Sequence, residues 1–459
     1  MTRNLRLALA LGLLLYPVRA WAHAHLTRSE PAAGSRITVS PPLIRLWFSE
    51  RPELTMTFVS IKDAAGRAFT LGTPANEQSD PLTVSFRVTD FLPPGRYTVT
   101  WRTAASDGHL SRGSFEFIVL TEAPALTDRP TPQGGAGTTV SPNGMASSTR
   151  DGGEEETDAA SSLSNSLARA FSFVGLLVLI GATTFRTLVV PRARGIDSGL
   201  AARMEGRAAI LGLAASVLVI LTAFARILLE SEMMSVVPGM QAMSMTDMTM
   251  HTRWGFALQL ELGAALVALV SFAFATRRFR GAWLVASFSA IVLAVTPALA
   301  GHAAASPRFT SLLIASDFLH VLGGASWLGS LFCVMLIGVP ISFTFEGTER
   351  WQSVAALVNA FSPVALFSAG IVVVSGVIAS WVHVQHLTAL WRTAYGQVLL
   401  VKLALVALTL MMGAYNFRRV QPQLVRQEGT SRLRQSAVLE LSLGFLILLV
   451  TGFLTGISP

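Results

Sequence analysis

The chain has 459 residues, of which 51% are hydrophobic and only 14% are charged. Its mean hydropathy of +0.53 excludes an ordinary soluble globular protein and is typical of a protein with several membrane spans. The formal net charge is +8, but the basic residues lie mostly between apolar runs, which indicates topology signals and no nucleic-acid-binding face. The single cysteine, Cys333, excludes an intrachain disulfide and a cysteine cluster for zinc or iron–sulfur.

Residues 1–22 have the pattern of a secretory signal peptide. Two arginines precede an apolar run over 7–15, which is too short to span a bilayer, and the small-x-small motif Ala-Trp-Ala ends at Ala22. Cleavage there would make His23 the first residue, with a free amine beside its imidazole. Two nitrogen donors on one residue can chelate a metal ion, and such donors favour Cu(II) among the divalent first-row ions.

Residues 23–120 differ in kind from the rest of the chain. Apolar and polar residues alternate in four short runs, with turn signals between them, over 54–61, 82–88, 97–101 and 115–119. This spacing predicts a small all-β sandwich or barrel. Residues 121–165 are rich in Gly, Ser, Thr, Pro and Asp, and we expect them to form a disordered, flexible linker.

The remaining residues, 166–459, predict an all-α membrane bundle. Eight apolar runs are long enough to span a bilayer, roughly 168–190, 207–229, 254–275, 282–300, 310–338, 354–379, 396–416 and 437–456. A signal peptide would place the β-domain outside, and the loops that then lie inside carry most of the arginines. We therefore predict a multi-pass protein of the bacterial inner membrane with its N-terminal domain in the periplasm.

All eight histidines fall outside the predicted membrane or toward its outer side, which favours a metal function on that face. Asp107 and His109 follow the run that ends at Trp101, and a loop could bring them to His23. Three nitrogens and one oxygen would suit the tetragonal preference of Cu(II). The alternative is an Asp-Gly turn with a surface histidine. His25 is an alternative ligand, because a third-position histidine can bind Cu(II) with the same terminal amine.

Three segments carry a resemblance to a known family: His23-Ala-His-Leu-Thr-Arg-Ser-Glu-Pro-Ala-Ala-Gly-Ser35, Leu46-Trp-Phe-Ser-Glu50 and Ser106-Asp-Gly-His-Leu-Ser-Arg-Gly-Ser-Phe115. With them, essentially all of 23–120 resembles the periplasmic copper-binding protein CopC. The resemblance implies a cupredoxin-like Greek-key β-barrel in which His23, Asp107 and His109 form a Cu(II) site. Some members also have a methionine-rich Cu(I) loop in this domain, but here Met56 is its only methionine.

A methionine-rich segment lies instead in the predicted outer loop between the second and third spans. Seven of the fourteen methionines fall between 233 and 250. Thioethers are soft donors that select Cu(I). We interpret part of this loop as a Cu(I) site formed by Met240, Met243, Met245, Met248, Met250 and His251. The alternative is a flexible loop that packs on lipid or on the β-domain.

The membrane half resembles the copper-resistance membrane protein CopD through several short motifs in the same order: Gly301-His302-Ala303, Asp317-Phe-Leu-His320, Trp327-Leu-Gly329, Tyr395-Gly396, Lys402, Asn416 and Glu440. Asp317 and His320 share one helical face, and ionisable residues at such depth are usually functional or paired. We expect His302, Asp317 and His320 to form a membrane copper site. The alternative is a structural ion-pair network that joins Asp317 to Lys402 or Arg226.

As a whole, the chain is similar to CopC–CopD fusions linked to bacterial copper uptake and homeostasis. The resemblance implies a non-enzyme that binds copper and moves it across the inner membrane, with copper ions, lipid and a periplasmic copper chaperone or reductase as partners. One alternative is a membrane-tethered sequestration factor without transport. Another is a haem-binding redox protein, which fits poorly because only His320 lies deep within a span.

Overall fold

The computed structural model describes residues 26–77, 80–104, 110–120, 152–236, 245–279, 281–306, 309–344, 348–384, 386–423 and 427–456. The chain divides into two compact units, one containing 25–103 and one containing 164–459. Several predictions fall outside the described residues: the signal peptide over 1–22, the part of the linker before Gly152, and the candidate ligands His23, His25, Asp107, His109, Met240 and Met243.

The N-terminal unit is an all-β sandwich. Its described strands are β1 Leu26–Glu30, β2 Arg36–Ile37, β3 Leu43–Phe48, β4 Phe58–Asp63, β5 Ala68–Phe69, β6 Ala75–Glu77, β7 Asp80–Arg87, β8 Gly95–Ala104 and β9 Leu110–Val119. They form two sheets, with the strand orders β1-β3-β7-β6 and β2-β9-β8-β4-β5. Strand β2 runs parallel to β9, whereas β1 and β7 both run antiparallel to β3. The predicted all-β domain is confirmed.

Period-two alternation builds the core of the sandwich, because successive side chains of a strand point to opposite faces. Ile44, Leu46 and Phe48 of β3 are buried, as are Tyr97 and Trp101 of β8. The four predicted runs correspond to β4, β7, β8 and β9. The prediction of a strand is wrong for the start of the first run, because Leu54–Met56 forms a 3-10 turn. There the Thr57 hydroxyl donates to the Glu53 carbonyl at 2.7 Å, and this local hydrogen bond favours a turn over pairing with a neighbouring β-strand.

The second unit contains eight helices, within the described residues, that are long and apolar enough to cross a membrane, as predicted. The spans are Leu163–Arg192, Ser198–Glu232, Arg253–Thr276, Ala282–Ala300, Thr310–Ser342, Glu349–Val382, Ala394–Val420 and Arg432–Leu454. Three shorter helices lie between spans, at Met245–His251, His302–Ala305 and Ala389–Arg392. We call the spans first to eighth in this order.

The helix of the first span begins before the membrane, at Gly152. Residues 152–165 are therefore helical, and the prediction of a disordered linker over 121–165 is wrong for this part. The apolar span that follows supplies the nucleus from which the helix extends.

Four π-helical turns interrupt the spans, at Phe185–Val189, Ala325–Gly329, Val334–Gly338 and Asn416–Val420. Each inserts an extra residue per turn, which redirects the side chains of that helix. The first and fifth spans approach closely beside one of these turns, where a side chain at Gly181 would overlap the backbone of Gly329. Small residues permit such close approach between membrane helices. This contact holds the second π turn, with its Trp327, inside the bundle.

Candidate metal sites

The strands that flank the predicted Cu(II) ligands meet at one end of the sandwich. Strand β1 begins at Leu26, which pairs with Phe48 at the end of β3. The Phe48 ring packs edge-on against Trp101 of the opposite sheet, with the ring centroids 5.3 Å apart. Trp101 lies near the end of β8, at Ala104, and β9 starts at Leu110. The described strand ends nearest in sequence to His23, Asp107 and His109 therefore lie at the same end of the sandwich.

That end of the domain is closely packed. A side chain on Gly113 of β9 would lie 2.6 Å from the Trp101 ring, so only glycine fits this close approach. The hydroxyls of Thr57 and Thr103 share a hydrogen bond of 2.8 Å in the buried interior beside it. Rigid strand ends reduce the entropy that a loop loses when it presents ligands to a metal ion.

The membrane candidates Asp317 and His320 lie on the fifth span, half-buried and one helical turn apart. His320 is about 16 Å along the helix from Phe309, at 1.5 Å per residue. Its Nδ1 lies 3.0 Å from the hydroxyl of Ser375 on the sixth span. The two spans are also joined by Ser316, whose hydroxyl donates to the Ser375 carbonyl at 2.9 Å.

The Ser375 hydrogen bonds favour one tautomer of His320. The Ser375 hydroxyl has one proton, and its oxygen lies 2.6 Å from the backbone carbonyl of Ile371 and 3.2 Å from that of Val372. A hydroxyl that donates to one of these carbonyls accepts from His320 Nδ1–H. This tautomer leaves the Nε2 lone pair available, which is the arrangement that metal-binding histidines have when a neighbouring group holds the other nitrogen.

Lys402 of the seventh span interacts electrostatically with both Asp317 and His320, and Tyr395 of the same span interacts with Asp317. No group of three His, Cys, Asp or Glu side chains suited to a metal ion occurs in the described part of the chain. The side chain of His302 lies outside that part, although its backbone belongs to the short helix before the fifth span. The described residues thus bring Asp317 and His320 together without a complete ligand set.

Arg226 of the second span and Glu261 of the third span are partners of each other. Arg226 donates to Glu261 Oε2 at 3.0 Å, and both side chains are largely buried. The Ser172 hydroxyl donates to the other carboxylate oxygen at 2.9 Å. Arg226 therefore belongs to a structural pair that joins the first three spans, and the alternative in which it pairs with Asp317 is not what the structure has.

Breaking this pair should destabilise the membrane unit strongly. In Arg226→Leu the Glu261 carboxylate keeps Ser172 but loses its counter-charge, which typically costs about 3–5 kcal/mol for a buried pair. Thermal unfolding of the detergent-solubilised protein, followed by circular dichroism, measures the loss. Arg207→Leu makes the same change at an exposed position of the same span and should leave the transition within error. Equal transitions for the two variants would contradict the structural role.

The described candidates of the methionine-rich segment do not share one face of their helix. Met245, Met248, Met250 and His251 lie on the helix Met245–His251. Met248 is fully buried, whereas Met250 is 63% exposed. The Met250 sulfur accepts from Gln259 Nε2 at 3.5 Å. Met248 therefore contributes to packing, and the exposed side chains Met250 and His251 remain the described candidates for copper binding.

Sequence reasoning missed two features of the bundle. Ser375, which orients His320, gives no signal in the sequence, because its role depends on packing between the fifth and sixth spans. Trp327 and Asn416 both donate to the buried carboxylate of Glu440, at 3.2 and 3.1 Å. The three residues stand out individually as polar or aromatic positions in apolar helices, but nothing in their spacing joins them.

Three family models match the chain. The CopC domain matches 26–120, the copper resistance protein D-like N-terminal domain matches 160–307, and copper resistance protein D matches 355–454. The copper transport protein CutJ of Bacillus subtilis is 24% identical over 476 residues, which cover 98% of this chain and 77% of the relative. Protein YobA of Escherichia coli K12 is 40% identical over 119 residues, which cover 26% of this chain and 95% of the relative.

Among solved structures, CopC from Methylosinus trichosporium OB3b is 27% identical, and the match covers 23% of this chain and all of that one with a TM-score of 0.21. The family models match both units of the chain in the order in which they occur. This protein therefore belongs to the copper resistance and copper transport family, as a fusion of a CopC domain with a CopD-type membrane domain.

Proposed function

We propose that the β-domain captures Cu(II) in the periplasm and that the eight spans move copper across the inner membrane. The observation that carries the transport step is the environment of His320, an imidazole deep in the fifth span whose Nδ1 lies 3.0 Å from the Ser375 hydroxyl. A neutral imidazole with a free Nε2 is a good copper ligand. Burying a polar group at this depth in the bundle costs free energy, and residues that are kept there are usually functional.

At the outer site, the His23 amine and imidazole, Asp107 and His109 supply three nitrogens and one oxygen to Cu(II). The convergence of the flanking strands at one end of the sandwich supports this ligand set. His25 competes for the same amine and serves as the alternative ligand. In the membrane, His320 acts with Asp317 and His302. The loop offers Cu(I) the thioethers of Met240, Met243, Met245 and Met250 and the imidazole of His251. A periplasmic reductase or chaperone is the expected partner if copper crosses as Cu(I).

Copper uptake into vesicles tests this proposal directly. Purified protein in liposomes should accumulate copper in the lumen faster than protein-free liposomes, both with Cu(II) and with a reductant that supplies Cu(I). Removal of residues 1–165 should slow uptake most at low Cu(II), because the capture site is lost while the spans remain. Accumulation no faster than in protein-free liposomes, under both conditions, would contradict transport.

The second candidate function is membrane-tethered copper sequestration. It is favoured by the lack of a three-ligand cluster of His, Cys, Asp or Glu in the described part of the chain. A sequestration factor should bind copper stoichiometrically without any lumenal accumulation, so the same liposome assay separates the two functions.

Removal of the Ser375 hydroxyl should weaken copper binding at the membrane site. Without it, His320 can change tautomer or ring orientation, and loss of such a supporting hydrogen bond typically costs about 10-fold or more in metal affinity. The copper concentration for half-maximal uptake should rise accordingly in Ser375→Ala, and Ser375→Thr should restore it. Ser362→Ala is the matched control, since that hydroxyl donates to the Val358 carbonyl of its own helix at 2.8 Å. An unchanged half-maximal concentration in Ser375→Ala would refute the role of Ser375.

A further inference from the structure

A buried carboxylate lies in the other half of the bundle, toward its arginine-rich end. Glu440 of the eighth span is 3% exposed. Its Oε1 accepts from the Trp327 indole N–H at 3.2 Å, and its Oε2 accepts from the Asn416 side-chain amide at 3.1 Å. Trp327 belongs to one π turn and Asn416 begins another. Three spans thus converge on one carboxylate, and π turns of this kind often occur at functional sites.

In the part of the chain that the structure describes, Glu440 has no ion-pair partner. Its hydrogen-bond partners in the described structure are Trp327 and Asn416, and both are neutral. Titratable or charged groups do occur on the packed spans: Arg169, Arg186 and Arg192 on the first, Asp317, His320 and Cys333 on the fifth, Glu349 and Arg350 on the sixth, Tyr395, Lys402, Tyr415, Arg418 and Arg419 on the seventh, and Arg432 and Arg434 on the eighth. None of them is paired with Glu440 among the described ion pairs.

This situation differs from that of Glu261, whose charge is balanced by Arg226 at 3.0 Å. The apolar surroundings of Glu440 stabilise a neutral carboxylic acid, whereas the two N–H donors stabilise the carboxylate. Both forms are therefore accessible. A metal cation is a poorer occupant than a proton, because each carboxylate oxygen already faces an N–H group and because copper prefers nitrogen and sulfur ligands to a lone carboxylate.

Asn416 can serve both forms of the carboxyl group. Its Nδ2 donates to the carboxylate, while its Oδ1 is buried without a hydrogen-bond partner in the described structure. A buried acceptor without a partner is unfavourable. When Glu440 binds a proton on Oε2, rotation of the amide by half a turn would let Oδ1 accept from the new O–H. The Trp327 indole would continue to donate to Oε1.

We propose that Glu440 is a proton-binding site, that its carboxylate reversibly takes up one proton on Oε2, and that this exchange accompanies copper movement. The uptake is a simple association of carboxylate and proton, with Asn416 turning from donor to acceptor and Trp327 remaining a donor. The coupling to copper movement rests on the proposed transport function, whereas the proton site itself does not.

Infrared difference spectroscopy of the full chain in liposomes tests the proton site without copper. Lowering the pH should produce carbonyl-stretch bands of protonated carboxyl groups, and Glu440→Gln should remove one of them, the Glu440 band. Trp327→Phe should shift the band to higher frequency, because the carbonyl oxygen then loses its hydrogen bond. Glu349→Gln, at an exposed glutamate of the sixth span, should leave the band unchanged. A set of bands that is the same in Glu440→Gln as in the wild type would overturn the proposal.

Copper flux under an imposed pH gradient tests the coupling. The gradient should change the initial rate of copper uptake by the wild-type protein, and Glu440→Gln should show the same rate with and without the gradient. An equal gradient effect in both proteins would overturn the coupling. If the wild-type protein moves no copper, both the transport function and its coupling to Glu440 are refuted. The infrared band still decides whether Glu440 binds a proton.

Discussion

A form of the protein that begins at Ala22 should lose the high-affinity Cu(II) binding that we propose for a β-domain that begins at His23. In the proposed site the terminal amine and imidazole of His23 form a chelate. A form of the protein that begins at Ala22 moves the free amine away from that imidazole and leaves the fold unchanged. It also moves His25 from the third to the fourth position, so the alternative amine-dependent site is lost as well. Copper d–d absorption and EPR titrations measure both affinity and ligand set.

Single substitutions separate the two possible ligand sets of the outer site. His109→Ala should weaken binding strongly, whereas His25→Ala should have little effect if His23 and His109 hold the ion. Because the imidazole and amine must both be deprotonated to bind, affinity should fall below about pH 6, where histidine protonates. Native affinity in the protein that begins at Ala22 would show that the amine is no ligand.

His320→Ala should lower copper accumulation by cells to the level of cells without the protein, at unchanged protein abundance. The substitution removes the deeply placed imidazole and its free Nε2 while it leaves the tight contact of the fifth and sixth spans, since Ser316 still donates to the Ser375 carbonyl. Elemental analysis of washed cells measures accumulation, and immunoblotting measures abundance.

The matched control for this prediction is His386→Ala, which removes an exposed histidine beyond the sixth span. That variant should accumulate copper like the wild type. Wild-type accumulation in His320→Ala would defeat the transport mechanism proposed for the membrane unit. Loss of accumulation in both variants would indicate that the effect is not specific to the fifth span.

The sequence alone determined the two-part architecture and the number of spans, because both depend on local patterns. An apolar run of sufficient length must satisfy its backbone as a helix in lipid, so the eight runs correspond to eight helices. The alternation of apolar and polar residues likewise predicted the strands β7 and β8. The local sequence pattern predicted the structure wrongly at two places. At Leu54–Met56 a side chain hydrogen bond to the backbone replaces the pairing of a β-strand, and at 152–165 a helix extends beyond the apolar run into polar sequence.

Only the tertiary structure decided which polar groups in the membrane are partners. The spans are apolar on all sides, so hydropathy does not show which face of one helix meets another. Close contacts such as Gly181 on Gly329 set the packing, and that packing pairs Arg226 with Glu261, places Ser375 on His320 and collects two donors around Glu440. A polar atom in an apolar interior must find a partner, but that partner can lie far away along the chain, as Trp327 does from Glu440 at 113 positions.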